Sequence, residues 1–190
     1  MGLQNQSQGG SKVFLSISNG KLVRSYKEKV EGSVSRINKA GREVHEMFYD
    51  SLEGTIKGID TKDGDYGKFL VVNVESNGVT YQLEMNYSSG YSASFLKTLP
   101  NVNLAGRVQI TPKLTIEGDK KKSVIFLNQG GGIKWFFTKD NPNGMPDLNK
   151  VKIKGKETWD DSDRMEFLEN YAKNLFGGSK AEPIEEEVPF

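Results

Sequence analysis

The sequence predicts a mainly β protein: a five-stranded Greek-key barrel preceded by a β-hairpin, with one helix between the third and fourth barrel strands and another at the C-terminal end. Three observations lead there. Apolar and polar residues alternate with a period of two through most of residues 13–137, the pattern of strands with one buried face. Asn19-Gly20, Asp63-Gly64 and Asn77-Gly78 interrupt the alternation, and such pairs readily take the positive φ angles of tight turns. Helical spacing replaces it in two places only, near residues 88–99 and 162–176.

Val13-Phe14-Leu15-Ser16-Ile17 and Lys21 to Tyr26 flank Ser18-Asn19-Gly20 and form the N-terminal hairpin. A polar connector rich in Lys, Ser and Gly follows. From Phe48 to Asp60 runs a long strand, with Leu52, Gly54, Ile56 and Gly58 alternating with Glu53, Thr55, Lys57 and Ile59; its glycines favour strong bending. The turn Thr61 to Asp65 leads into a second strand, Lys68 to Val74, and Ser76-Asn77-Gly78 turns the chain into a third, Val79 to Met85. Tyr91, Phe95, Leu96 and Leu99 then recur at helical spacing until Pro100 stops the run. Gly106 to Ile110 resumes the alternation, and Ser123 to Leu127 with Ile133 to Phe137 completes a final hairpin or broken long strand around Gly130-Gly131-Gly132. Three strands, a helix and two strands is the order of an OB-fold, which binds oligonucleotides and oligosaccharides. Beyond it, Lys150, Lys152, Lys154 and Lys156 around Val151 and Ile153 predict a basic extra strand. Ser162 to Phe176 is helical, with Asp161 or Ser162 as cap, Met165, Leu168, Ala172 and Leu175 on one stripe and Gly177 as the stop. That stripe is expected to dock on the barrel or on a second subunit, which leaves a homo-oligomer open.

A chain of 190 residues suits one well-buried domain with appendages. The expected layout is a flexible leader over 1–11, a single domain over 12–176 and a disordered acidic tail over 177–190. There is no cysteine and His45 is the single histidine, which excludes disulfides and the usual zinc sites and suits a reducing cytoplasm, that of a bacterium or a phage-infected host. The leader has neither basic n-region nor apolar h-region, and no stretch approaches a membrane span. Residues 177–190 hold one Lys and four Glu, so the overall charge of +1 divides into −3 for the tail and +4 for the body. A basic body with an acidic tail fits a polyanion binder.

An unpaired strand is gripped by cations along its phosphates and by flat rings under its bases. Lys57, Lys62, Lys68, Arg107, Lys113, Lys134 and the triplet Lys120-Lys121-Lys122 sit where two loops and their strands would use them. If Leu70, Val72 and Val74 face the core, Phe69 turns outward as a stacking platform, with Tyr66 in the adjoining loop. Trp135 and Phe137 share one side of the last strand and Phe136 the other; Trp135, next to Lys134, is taken as exposed, which carries Phe137 with it. Catalysis has little support: His45-Glu46 lacks the second histidine of a helical zinc site, and a lone histidine beside Glu reads as a surface residue. Asp60, Asp63 and Asp65 miss the calcium-loop spacing and read as turn residues. The glycines 130–132 lack the companions of a P-loop. No cofactor or metal is expected, and the chain is read as no enzyme.

The tip, Glu185-Glu186-Glu187-Val188-Pro189-Phe190, joins three like charges to an apolar hook at a carboxylate, a combination that suits capture by another protein better than burial in a core. It resembles the C-terminal tip of bacterial and phage single-stranded DNA-binding proteins, with Glu where the bacterial tip usually has Asp and Val188 where it usually has Ile. The resemblance covers Glu185 to Phe190 alone. It implies sequence-tolerant binding of single-stranded DNA in replication, recombination and repair, with a polymerase, primase, helicase or recombinase docking on the tip. It also implies that the tail partly shields the basic groove until DNA frees it. The body departs from the bacterial family in lacking a long Gly/Pro/Gln-rich linker and in adding a hairpin and a helix, which looks more like a phage-encoded version and does not carry over the bacterial tetramer. Two other readings stay open: an OB-like adaptor that binds protein or sugar, and a metal-dependent nuclease using Asp60, Asp63 and Asp65.

Overall fold

The computed structural model describes residues 11–177; the expected leader, all but Ser11, and the acidic tail beyond Gly177 with its tip Glu185 to Phe190 lie outside the described residues. The described residues are mainly β, with two α-helices among them.

β1 (Lys12–Ser18) and β2 (Lys21–Tyr26) form the expected antiparallel hairpin. Asn19 and Gly20 take φ of 49° and 75°, both left-handed, as a type I′ turn requires. Gly20 is needed for a second reason: a Cβ there would lie 2.7 Å from the Leu114 backbone nitrogen, so the turn can press onto a distant strand only without a side chain. Its N–H donates to the Tyr91 hydroxyl at 3.1 Å.

The polar connector proves to be a second hairpin, β3 (Val34–Ile37) and β4 (Glu43–Tyr49), with β4 pairing to β2. Every residue of β3 is exposed, so it needs no apolar alternation and leaves little trace in the sequence. His45 is correspondingly not a surface residue: it is buried on β4, with Nδ1 2.7 Å from the Ser35 hydroxyl. The predicted strand from Phe48 to Asp60 breaks at Asp50-Ser51, and β5 (Leu52–Gly64) starts afresh.

β5, β6 (Gly67–Ser76) and β7 (Val79–Asn86) make the expected meander, with Leu70, Val72 and Val74 fully buried. The ladder slips between Ile56 and Gly58; a bulge there bends β5 so that its start pairs with one strand and its remainder with β6. Helix α1 (Gly90–Thr98) follows, its first turn capped by Ser89, whose side chain accepts from Ser92 N–H. A 3-10 turn over Leu99–Asn101 ends it.

β8 (Val108–Glu117) and β9 (Lys120–Asn128) form the last long hairpin. This corrects two expectations. Lys120, Lys121 and Lys122 lie at the start of β9 rather than in a loop, and Ile133 to Phe137 is no strand, because the chain leaves the ladder at a single bridge between Asn128 and Gly132. The basic extra strand is half of a hairpin, β10 (Asn149–Ile153) with β11 (Lys156–Asp160), a separate two-stranded sheet.

The large sheet has nine strands in the order β3-β4-β2-β1-β7-β6-β5-β8-β9, open at both ends. β1 against β7 is its one parallel pair. Helix α2 (Ser162–Leu175) closes the core from one side with Met165, Leu168 and Ala172 buried. It docks on its own chain, against α1 and β5; Leu175, expected on the same stripe, lies one turn past the contact and is exposed. Met165 and Leu168, withdrawn from water, each contribute about 1.5 to 3 kcal/mol to holding the helix on the core.

Candidate nucleic-acid interface

Along β5 and β6 the strand register sets the predicted site residues in rows. Asp60, Val71 and Glu84 share one row, and Lys62 and Phe69 the next. Phe69 is only half-exposed, because its ring lies against the backbone of Gly64. Tyr66 stands out at the hairpin tip, 74% exposed, with the Lys39 ammonium 5.5 Å from its ring. The cations here are already engaged. Lys62 pairs with Glu84, Lys57 with Glu75 at 3.9 Å, and Arg107 with Glu53 at 3.2 Å and the Ser76 hydroxyl at 3.2 Å.

Lys68 is the most committed. Its ammonium meets the Glu169 carboxylate at 2.8 Å and lies 4.0 Å from the Tyr87 ring. Glu169, buried on α2, also accepts from Lys173 at 2.7 Å and from the Tyr87 hydroxyl at 2.5 Å. Burial pushes the Glu169 carboxyl up, yet hydrogen bonds from Lys173, Lys68 and Tyr87 outweigh it and hold the group at about 2. Burial, with Glu169 beside it, raises Tyr87 well above the usual phenol range. Lys68 therefore belongs to a clasp that ties α2 to the sheet, and a phosphate would have to compete with Glu169 for it.

Phe137 corrects an expectation. It is fully buried, in edge-to-face contact with Phe136 at 4.8 Å, Tyr171 at 5.0 Å and Phe167 at 5.6 Å. The strand parity that paired it with Trp135 does not apply where there is no strand. Phe137 instead anchors the segment that displays Trp135. The Phe136 N–H donates to Lys97 O at 2.8 Å, Asn101 Nδ2 to Lys134 O at 2.9 Å and Asn143 Nδ2 to Phe136 O at 2.8 Å, so both neighbours of Trp135 are pinned while its own side chain reaches solvent.

That side chain lines a cavity of about 730 Å³, open to solvent and within the range in which small ligands are held. Trp159 of β11 lines it as well, 60% exposed, against 39% for Trp135. Lys97, Lys139 and Arg164 line the same groove, with Asp147 as its one carboxylate. The Lys97 ammonium sits 4.9 Å from the Trp135 ring and the Lys150 ammonium 5.0 Å from the Trp159 ring. Lys150 shares Glu157 at 3.8 Å, but Lys97, Lys139 and Arg164 form no ion pair among the described residues. The structure thus brings Trp135 together with Lys97, Lys139, Arg164 and Trp159, none of which the sequence reading singled out. One signal was present: Trp159 lies opposite Lys150 in a hairpin whose other residues are mostly charged, where an apolar ring has no core to enter.

A further patch lies on β8 and β9. Lys113 stands 5.4 Å from the ring of Phe126, which is 52% exposed, and Lys120, Lys121, Lys122 and Lys134 are exposed as expected. Asp60, Asp63 and Asp65 form no group able to hold a metal among the described residues, and none of the described helices is long and apolar enough to cross a membrane. Comparison with protein-family models, curated proteins and solved structures finds no match to this chain.

Proposed function

We propose that the chain is a sequence-tolerant single-stranded DNA-binding protein built on an OB-fold, acting in replication, recombination or repair and recruiting partner enzymes through Glu185 to Phe190. One observation carries the reading: two exposed tryptophans, each with a lysine over its ring, line one groove with three cations that have no carboxylate partner among the described residues. A lysine on an exposed ring is worth about 0.5 to 1 kcal/mol, whereas a stacked base is worth about 1 to 3 kcal/mol. A base therefore displaces the ammonium, which moves to the adjoining phosphate, and no hydrogen bond to a base edge is needed. The fold reading draws support from the strand order β7-β6-β5-β8-β9 with α1 between the third and fourth of these five strands, the OB arrangement, with β1 beside β7 where a closing strand would lie. Lys113, Phe126 and Lys120 to Lys122 extend the basic surface beyond the groove. A cytoplasmic setting follows from the same reading.

The test is a titration of the full chain with oligo-dT, following tryptophan emission at several salt concentrations. Quenching that weakens as salt rises is expected, with duplex DNA giving less. An unchanged emission at the lowest salt rules the function out and leaves the adaptor reading.

A further inference from the structure

We propose that Lys97 and Arg164 form a seat for one backbone phosphodiester between base-stacking positions on Trp135 and Trp159, so that the smallest unit the groove recognises is a two-base step of single strand. This rests on the nucleic-acid reading and specifies the ligand at that site.

The two cations come from different helices, Lys97 from the last turn of α1 and Arg164 from the first turn of α2, and both face the cavity. Neither is among the eight cations that meet a carboxylate within the described residues, which are Lys21, Arg36, Lys57, Lys62, Lys68, Arg107, Lys150 and Lys173. Lys97 is half-buried and has Arg164 as its charged neighbour; burial first, and then that positive charge, lower its pKa. Two like charges held together in a partly dry groove raise the energy of the empty site, and an anion between them removes the repulsion. Arg164 is fixed for that purpose, since its Nε donates to Pro146 O at 2.9 Å and its terminal nitrogens remain as donors, suited to two oxygens of one phosphate. Trp135 lies beside Lys97, and Trp159 lines the same groove from the hairpin that Asn149 ties to Asp163 of α2 at 3.0 Å. Two rings and two cations lining one groove suit two consecutive bases and the phosphate they share.

Fluorescence titration of the full chain compares the dinucleotide dTpdT, the mononucleotide thymidine 5′-phosphate and inorganic phosphate. The dinucleotide is expected to bind tightest by at least tenfold; equal affinity for the mononucleotide overturns the two-base step, and equal affinity for inorganic phosphate overturns the stacking as well. Lys97→Gln and Arg164→Gln should each weaken oligo-dT binding by about tenfold to a hundredfold, the loss of a charged hydrogen bond, and lower the salt slope by about one. A second measurement needs no variant: on the parent protein, an oligo-dT with neutral methylphosphonate linkages should lose at least tenfold in affinity. If oligo-dT binds but neither variant nor neutral backbone changes its affinity, the seat is wrong and the function stands. If oligo-dT does not bind at all, both fall.

Discussion

Lys57, Lys62 and Lys68 lie along β5 and β6 with Arg107 just before β8, and three other cations line the groove between α1, α2 and the β10–β11 hairpin, yet their circumstances are opposite. Lys57, Lys62, Lys68 and Arg107 each rest on a carboxylate supplied by a neighbouring strand or by α2. Lys97, Lys139 and Arg164 face a cavity with Asp147 as its one acid and form no ion pair among the described residues. A phosphate arriving at the first region must compete with an existing ion pair and strand one carboxylate. At the second it meets charge that is not yet satisfied. The difference teaches that placement against acids, more than the number of lysines, decides where a polyanion can bind. The aromatics divide the same way: Phe69 is half-covered against Gly64, while Trp135 and Trp159 are open.

The largest effect is expected where Lys68 is held. Glu169→Gln leaves Lys68 and Lys173 without their anion; both ammoniums are more than a third exposed and stay solvated, so the loss of folding stability falls below the ~3 kcal/mol of a fully buried pair. Glu169 titrates at about 2 when folded against an ordinary 4.5. Its stabilising contribution is therefore complete above pH 4.5 and disappears as pH falls toward 2. Urea unfolding should show a large gap between parent and variant at pH 7 that narrows toward pH 2.5. A gap of constant size would mean that Glu169 does not act through its charge. Strand binding at neutral pH should be the same for any folded fraction, which separates the clasp from the groove.

Next in size is the contrast between rings. Trp159→Ala should weaken oligo-dT binding by about 1 to 3 kcal/mol and leave the thermal midpoint close to that of the parent, because the ring is exposed. Phe69→Ala should do the reverse, lowering stability and leaving affinity unchanged. If Phe69→Ala is the variant that loses binding, the strand runs over β5 to β7 and the comparison is inverted.

The smallest effects test the cations directly. Lys62→Gln removes an exposed ion pair, worth less than about 1 kcal/mol, and should leave the salt dependence of binding as it is. Lys139→Gln should reduce the slope of log affinity against log salt by about one. Equal slopes for the two variants would show that ion pairing along β5 does not withhold Lys62 from phosphates.

Much of the fold was legible because it is local. The hairpin at Asn19-Gly20, the meander of β5 to β7 and both helices follow from periodicity and turn chemistry within a few residues. The β3–β4 hairpin was not legible, since β3 is exposed on every side chain and so carries no buried face to pattern. Of the site, Trp135 was legible as an exposed ring, whereas Phe137 was assigned by a strand parity that the chain does not have there. Its true neighbours, Phe167 and Tyr171, lie on α2 and make themselves known only when that helix packs.

By itself the sequence determined the β-rich character, the turns, the two helices and the division between a basic body and an acidic tail, because periodicity and net charge are properties of neighbouring residues and simple sums. Only the tertiary structure decided which cations remain available and which rings stay open. Whether a lysine is neutralised depends on a carboxylate within a few ångströms, and for Lys68 that carboxylate is Glu169, remote in the chain and brought near by the packing of α2 on the sheet. The same packing sets Arg164 beside Lys97, and no feature of either segment alone records that meeting.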